Sequence, residues 1–226
     1  MIIPALTLLM ALSSQAAAQA QTDTSQMSLA ERAAASRKGP APTTNDFELT
    51  PAQRGSVRQD KYVNDFFHFE LTKPEGWEIY SQGRMNVNEA VGRAYLDQKA
   101  GFSSAGRVLG LGDGTGQSIY VSIIRVPAGE PTDVAEIGAK MKKVIHSHLP
   151  MAKDLKETVD LSSPQHPFAG LRYMLKINDT ELFQNLQWTI CDGNLITFTT
   201  TGSSEQNLAN LLQLLGKHIS WKTPSQ

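Results

Sequence analysis

The segment Tyr62–Tyr80, YVNDFFHFELTKPEGWEIY, constrains the fold of this chain more than any other stretch of its sequence. From Phe67 to Leu71, apolar residues alternate with polar ones, which is the period-two pattern of a strand with one buried face. Lys73-Pro74-Glu75-Gly76 suits a tight turn, because proline presets one backbone angle and glycine tolerates a positive φ. We therefore predict a hairpin of two short strands joined by this turn, with Trp77 as the first residue of the returning strand.

The chain after this hairpin predicts further strands by alternation and by β-branched content. The strands 168–177, 181–191 and 195–201 are predicted to form an antiparallel meander, because turns at Asn178-Asp179 and Asp192-Gly193-Asn194 separate them. The predicted strands are 107–111 and 118–126, joined by the glycine-rich loop 112–116, then 156–161, 168–177, 181–191 and 195–201, with a short edge strand at 219–221.

Three segments have the apolar spacing of amphipathic helices, with an apolar stripe at i, i+3, i+4 and i+7. The first spans 86–96. The second spans 133–148, with Thr132 as its cap and Pro150 blocking its continuation. The third begins at a predicted capping box of Ser203 and Gln206 and ends at Gly216. Strands and helices in this order predict an α+β fold.

Composition restricts the classes of function. The chain has 226 residues, of which 40% are hydrophobic and 19% charged, which suits one domain with appendages. Its formal net charge of -1 provides no electrostatic footprint for nucleic acid. Cys191 is the single cysteine, so an intrachain disulfide framework is excluded. After the first twenty residues, no apolar run approaches the ~20 residues of a membrane-spanning helix.

The first twenty residues are typical of an export signal. They carry no charged side chain, and an apolar core at Ile2–Leu12 precedes the small-x-small pattern Ala18-Gln19-Ala20. We expect a signal peptide at 1–20, removed near Gln21, and hence a periplasmic or secreted protein.

A polar linker is predicted between the signal peptide and the folded domain. Residues 21–59 contain Phe47 as their single aromatic residue, so they have little apolar surface to bury. Short helical turns fit the caps at Ser28 and at Thr50-Pro51. We predict a flexible linker at 21–59 with room for a short helix, a domain at 60–222 and a tail at 223–226.

Local signatures of catalysis or cofactor binding are absent from the sequence. The loop 112–116 lacks the spacing of a phosphate-binding loop and joins two strands, so no nucleotide cofactor is predicted. His146 and His148 are weak candidates for a metal site, because residues two apart point to different faces of a helix. Cys191 has no basic neighbour to activate it, which favours a structural thiol.

Two residues are weak candidates for binding a small ligand between the sheet and a helix. Trp188 is predicted on the same strand face as Leu186, and Arg172 on the strand face opposite Leu171 and Tyr173. An apolar pocket with these side chains at its edge would support such a site. The competing interpretation of Arg172 is a stem that packs on the sheet and a head that reaches solvent.

The opening of the domain resembles the PsbP-like family, whose fold is shared with the Ran-binding Mog proteins. The residues that carry the resemblance are Tyr62, Phe67, Phe69, Pro74, Gly76 and Trp77, followed by the turn at Asp192-Gly193, the threonine-rich strand 196–201 and the C-terminal helix. The resemblance covers about Asp60 to Lys222. It implies an antiparallel sheet sandwiched between helices, an α/β/α sandwich, in a family not known chiefly for catalysis.

The sequence favours binding over catalysis. The first hypothesis is an exported, non-catalytic binding or assembly protein of the bacterial cell envelope with an unknown protein partner and no cofactor. The alternative is an exported hydrolase, or a small-ligand or metal-binding protein, whose residues converge only in the folded chain. The side chains available to a hydrolase are the histidines His68, His146, His148, His166 and His218 and the serines Ser103, Ser104 and Ser203.

Overall fold

The computed structural model describes residues 49–86, 106–126, 129–130, 132–163, 165–177 and 179–222. Within these ranges the chain forms two antiparallel sheets, which we call sheet A, with four strands, and sheet B, with seven. The helices of this described part are too short or too polar to cross a membrane.

Sheet A consists of β1 (Ser56–Arg58), β2 (Lys61–Asn64), β3 (Phe69–Thr72) and β11 (Ile219–Trp221), in the order β1-β2-β3-β11. Sheet B consists of β4 (Glu78–Ile79), β5 (Arg107–Gly112), β6 (Ser118–Arg125), β7 (Ala152–Glu157), β8 (Ala169–Ile177), β9 (Thr180–Cys191) and β10 (Asn194–Gly202), in the order β4-β5-β6-β10-β9-β8-β7. The helices are α1 (Pro51–Arg54), α2 (Val134–His148) and α3 (Glu205–His218).

Among the described residues, α2 packs on one face of sheet B and α3 on the other, so the predicted α+β fold with helices on both faces is confirmed. The apolar stripe of α2 packs against Leu171 and Trp188 on one face. Leu215 of α3 packs with Phe198 on the opposite face, which sheet A also covers. A single sheet was expected from the sequence, whereas the structure adds sheet A as a separate layer.

The central meander is confirmed, with β8 pairing β9 and β9 pairing β10 in antiparallel register. The predicted apolar stripe of α3, from Leu208 to Leu215, is buried. The predicted edge strand at 219–221 is also present and pairs with β3. Residue 86, the first of the helix predicted at 86–96, ends a helical segment at 82–86, and residues 87–96 lie outside the described residues.

The predicted hairpin around Pro74 is wrong in its pairing. The turn forms, with Gly76 at φ 77° and the Trp77 amide donating to the Pro74 carbonyl at 3.2 Å. However, β3 pairs with β2 on one side and β11 on the other, so neither of its edges is free for β4. The turn instead carries the chain from sheet A to sheet B, where β4 pairs with β5. Trp77 lies just before β4 and is only partly buried.

The strand predicted at 156–161 is also displaced. Strand β7 occupies Ala152–Glu157, and its pairing with β8 shifts between Lys153 and Lys156. Asp154 has φ 54°, a left-handed conformation that breaks strand alternation at this point. An irregular edge strand lacks the period-two alternation of side chains. The strand predicted from the sequence therefore begins four residues too late, at 156 instead of Ala152.

Three helix boundaries differ from the prediction. The cap of α2 is Asp133, not Thr132, because the Asp133 carboxylate accepts from two amides of the first turn. The cap of α3 is Ser204, not Ser203, and its hydroxyl accepts from the Asn207 amide. Helix α3 continues past Gly216 to His218, because the next residues enter β11 and fix where the helix ends.

Part of the predicted linker belongs to the fold. Thr50 caps α1 as predicted, with Pro51 in the first turn, and Gln53 completes a capping box with Thr50. Leu49 is 5% exposed and packs in the core between the two sheets. The Tyr62 hydroxyl donates to the Arg54 carbonyl at 2.8 Å, and burial raises the pKa of that phenol. The described structure therefore begins eleven residues before the predicted boundary at Asp60.

Replacing Leu49 with alanine should lower the free energy of unfolding by about 2–4 kcal/mol, because it removes buried apolar contacts and leaves a cavity. Urea denaturation measures this change. The matched control is Val57→Ala on β1, where the side chain is 47% exposed and a loss under ~1 kcal/mol is expected. An equal, small loss for both variants would show that Leu49 is not part of the core.

Lysine side chains hold β11 and β2 to β3 through Glu70. Lys222 and Lys61 both donate to the Glu70 carboxylate, Lys61 at 3.1 Å. These hydrogen bonds, with that of Lys222 the larger cause, hold the pKa of Glu70 below its usual value. A carboxyl group whose pKa falls on folding stabilises the fold above its unfolded pKa, and this stabilisation is lost as the pH falls.

The melting temperature of Glu70→Gln should therefore lie below that of the wild type at pH 7, and the difference should shrink as the pH falls below about 4. Differential scanning calorimetry over this range measures it. A difference between the two proteins that stays constant with pH would contradict the assigned interaction.

Candidate functional site

A cleft opens between α2 and the β7–β8 edge of sheet B, with Trp188 at its floor. Its volume is about 350 Å³, and most of its lining is apolar or glycine. This volume lies near the lower end of the range for ligand sites in proteins. The residues that line the cleft include Ala135, Gly138, Lys142, Glu157, Val159 and Trp188.

Trp188 reaches the cleft because of strand alternation in β9. Side chains at Leu186, Trp188 and Ile190 share the face that packs under α2. The Trp188 indole N–H donates to the Val134 carbonyl at 3.0 Å, so the polar edge of the ring is satisfied while its apolar edge borders the cleft. The Trp188 side chain is 1% exposed, so little of the ring is open to bulk solvent.

Two glycines give the site its shape through close approach. A Cβ atom at position 138 would lie 3.2 Å from Cζ2 of Trp188, so glycine lets α2 lie close to the indole. A Cβ atom at position 170 would lie 2.0 Å from Nε2 of Gln187, so glycine makes space for that side chain. A glycine inside a predicted helix or strand is the signal that could have revealed these positions in the sequence.

Gln187 positions the loop that forms one wall of the cleft. Its Oε1 atom accepts from the Asp160 amide at 3.0 Å and from the Leu161 amide at 3.4 Å. The Asp160 carboxylate in turn accepts from Asn185 Nδ2 at 2.7 Å. These bonds tie the loop after β7 to β9 and place Val159, 66% exposed, at the rim. Neither Gln187 nor Asn185 was among the residues predicted from the sequence.

An ion pair lies beside the apolar lining. Lys142 of α2 donates to the carboxylate of Glu157 at the end of β7, and both residues line the cleft. The side chains of Lys142 and Glu157 are 36% and 73% exposed, so solvent screens this pair. The cleft thus combines an apolar interior with a charged, solvated rim.

The structure separates the two predicted ligand residues. Trp188 lies in the cleft, whereas Arg172 extends from the other face of sheet B, opposite Asn185 in the strand register. Arg172 Nη2 donates to Asp160 Oδ1 at 3.3 Å, and its side chain is 32% exposed. This matches the interpretation in which the arginine stem packs on the sheet and the head reaches its surface.

The predicted histidine candidates are dispersed. His146 is exposed on α2, and His148 ends the same helix, with its side chain outside the described part of the structure. His166 packs against Trp221, with ring centroids 5.8 Å apart. Across the described ranges, no group of three or more histidine, cysteine or carboxylate side chains is arranged to hold a metal ion.

Of the predicted serine candidates, Ser203 lies within the described residues. The Ser203 hydroxyl accepts from Asn207 Nδ2 at 2.9 Å, next to the start of α3. Ser103 and Ser104 lie outside the described residues. His68 occupies the turn before β3 with φ 55°, and His218 ends α3.

Cys191 is a buried thiol at the end of β9. Burial raises its pKa to about 11, and the neighbouring Asp192 carboxylate acts in the same direction. A neutral thiol is a poor nucleophile, so this environment is that of a structural cysteine.

The overall architecture has counterparts among solved structures. The solution structure of cyanobacterial PsbP from Synechocystis sp. PCC 6803 is 14% identical, covers 82% of this chain and 99% of its own, and has a TM-score of 0.47. The crystal structure of LpqN, involved in cell envelope biogenesis of Mycobacterium tuberculosis, is 9% identical, with coverages of 79% and 93% and a TM-score of 0.41. PA94 of Pseudomonas aeruginosa, a protein of unknown function and putative regulator, is 15% identical, with coverages of 69% and 92% and a TM-score of 0.37.

These similarities concern the fold alone. No protein-family profile and no curated protein matches the chain.

The burial of Cys191 predicts slow reaction with a thiol reagent. At pH 8, a pKa of about 11 leaves about one thiol in a thousand ionised, so labelling of the folded protein should be at least ~100-fold slower than in guanidinium. Absorbance of the released thiolate dye measures both rates. Similar rates in the folded and denatured states would contradict the structural assignment of this thiol.

Proposed function

We propose that this chain is an exported, non-catalytic binding protein of the cell envelope, and that its protein partner inserts one apolar side chain into the cleft above Trp188. The observation that carries the proposal is the cleft itself, an apolar recess between a helix and a sheet. Apolar anchors that fill such recesses dominate the binding energy of many protein interfaces.

The size and lining of the cleft favour a single side chain over a large ligand. A volume of about 350 Å³, near the lower end of the range for ligand sites, accommodates one aromatic or branched aliphatic group. Leu171 and Trp188 supply apolar contacts at the floor. A side chain in this position would be desolvated on entry, which is the source of the expected affinity.

The rim of the cleft suits a protein surface. The exposed Val159 widens the apolar area beyond the recess, and the Lys142–Glu157 pair provides one charge of each sign beside it. A polar rim around an apolar anchor site is the usual anatomy of a protein interface. The hydrolase alternative has no comparable support, since Ser203 is bonded to Asn207 and His166 packs on Trp221.

The cellular location in this proposal rests on the N-terminal sequence. Residues 1–20 have the apolar core and small-residue pattern of an export signal, which supports a location of the mature chain in the periplasm or outside the cell. Amino-terminal sequencing of the protein purified from its native compartment tests this directly.

A matched pair of substitutions on α2 tests the cleft. Ala135 is exposed and lines the cleft, whereas Ala139 is exposed one turn further on and does not line it. Ala135→Leu should fill the recess and weaken partner binding by at least about tenfold, equivalent to about 1.4 kcal/mol. Ala139→Leu adds the same side chain to the same helix and should leave affinity unchanged.

The measurement has two stages. Capture from envelope extract with the chain from Gln21 onward identifies the partner, and calorimetric titration with purified partner compares the variants. Equal affinity for both alanine variants would place the interface elsewhere. Failure to capture any protein, together with binding of a small apolar probe that quenches Trp188 fluorescence, would reassign the cleft to a small ligand.

A further inference from the structure

The face of sheet B beneath α2 carries a second feature, a run of buried hydroxyl side chains. We call it the hydroxyl strip; it consists of Ser118, Ser122, Thr197, Thr199 and Thr201. Each of these five residues is 0% exposed. Apolar side chains normally occupy such positions, so five hydroxyl groups here require hydrogen-bond partners.

Strand register places the strip on adjacent strands. Thr201 lies opposite Ser118, and Thr199 lies opposite Tyr120, in the pairing of β10 with β6. Residues two apart on a strand share a face, so Thr199 is the diagonal neighbour of Ser118 on the adjacent strand. Diagonal neighbours have Cα atoms about 7–8 Å apart, with their Cβ atoms somewhat closer.

Part of the strip is satisfied by protein groups. Thr197 Oγ1 donates to the Ser122 carbonyl at 3.3 Å, on adjacent strands. Thr201 Oγ1 accepts from Gln184 Nε2 at 3.4 Å, and Gln184 Oε1 accepts from the Tyr173 hydroxyl at 2.6 Å. The hydrogen-bond chain from Tyr173 therefore ends at Thr201, beside Ser118.

Two hydroxyls at this point have no hydrogen-bond partner among the described residues. They are Ser118 Oγ and Thr199 Oγ1, and both atoms are buried. A buried hydroxyl without a hydrogen-bond partner destabilises the fold. In native proteins, an ordered water often supplies the missing partner where several buried polar groups lie close together. Thr201, opposite Ser118 in the strand register, places a third hydroxyl side chain on the same face.

We propose that Ser118, Thr199 and Thr201 form a buried site for one ordered water molecule. The water bridges the hydroxyls of Ser118 and Thr199, and the Thr201 hydroxyl is its third contact. Three partners are the usual number for a buried water. The diagonal placement suits such a bridge. The Cβ atoms of diagonal neighbours lie under about 8 Å apart. Hydroxyls that point towards each other from these Cβ atoms come close enough for one water oxygen to form a hydrogen bond with each. The site is separate from the cleft and does not depend on the proposed function.

A conservative substitution in the chain from Gln21 onward changes the melting temperature in opposite directions, depending on whether the hydroxyl it removes has a hydrogen-bond partner. Thr199→Val keeps the shape of the side chain and removes the hydroxyl. If Thr199 binds the water, the melting temperature falls. If the hydroxyl has no partner, the substitution removes a buried unsatisfied group and the melting temperature rises.

A double-mutant cycle tests whether the two residues share the water. Ser118→Ala should lower the melting temperature less in the Thr199→Val background than in the wild type, because the shared water has already lost a contact. Thr197→Val is the matched control. Its hydroxyl bonds to the Ser122 carbonyl, so its effect should add to that of Ser118→Ala.

Water-selective nuclear Overhauser spectroscopy observes the site directly. We expect a long-lived water cross-peak to the Thr199 side chain in the wild type that disappears in Thr199→Val. A rise in melting temperature, additive effects of Ser118→Ala and Thr199→Val, or a wild-type spectrum without this cross-peak would each overturn the proposal.

Discussion

Aromatic packing between the two sheets is the interaction on which the rest of the described structure depends. Phe69 of sheet A contacts Phe198 of sheet B with ring centroids 5.8 Å apart and Trp221 of β11 at 5.3 Å. Phe168, just before β8, lies 5.8 Å from Trp221. One cluster thus joins the beginning of the domain, its central meander and its last strand. Large buried rings contribute heavily to such cores, and edge-to-face and tilted pairs add to their area burial.

This cluster decides which face of sheet B remains available. Sheet A and α3 cover one face, so alternation directs Phe198 inward on that side and Trp188 to the other. Under α2, the second face combines an apolar recess near β8 with the buried hydroxyl strip across β6 and β10. Both features follow from side-chain alternation on β9 and β10. They divide one sheet face into an apolar site open to solvent and a polar site sealed from it.

Structural features that depend on residues close together in the sequence were predictable, whereas strand pairings between segments far apart in the sequence were not. Alternation placed β8 and β9 well, and Trp188 was identified as a candidate because its strand face could be counted. The pairing of β3 was not predictable, because its second partner, β11, lies about 150 residues later in the chain. Asp154 interrupts β7 with a left-handed residue that no local pattern announced. Gly138 gave a usable signal, since a glycine within a helix often marks close packing.

Hydrogen–deuterium exchange of the complex with its captured partner tests the central claim most directly. Exchange slows where a partner covers backbone amides and stabilises local structure. The account predicts slower exchange on binding in the first turns of α2 and in residues 157–161, with sheet A unchanged. Protection confined to β1 or β11, the exposed edges of sheet A, would contradict the assignment of the cleft as the binding site.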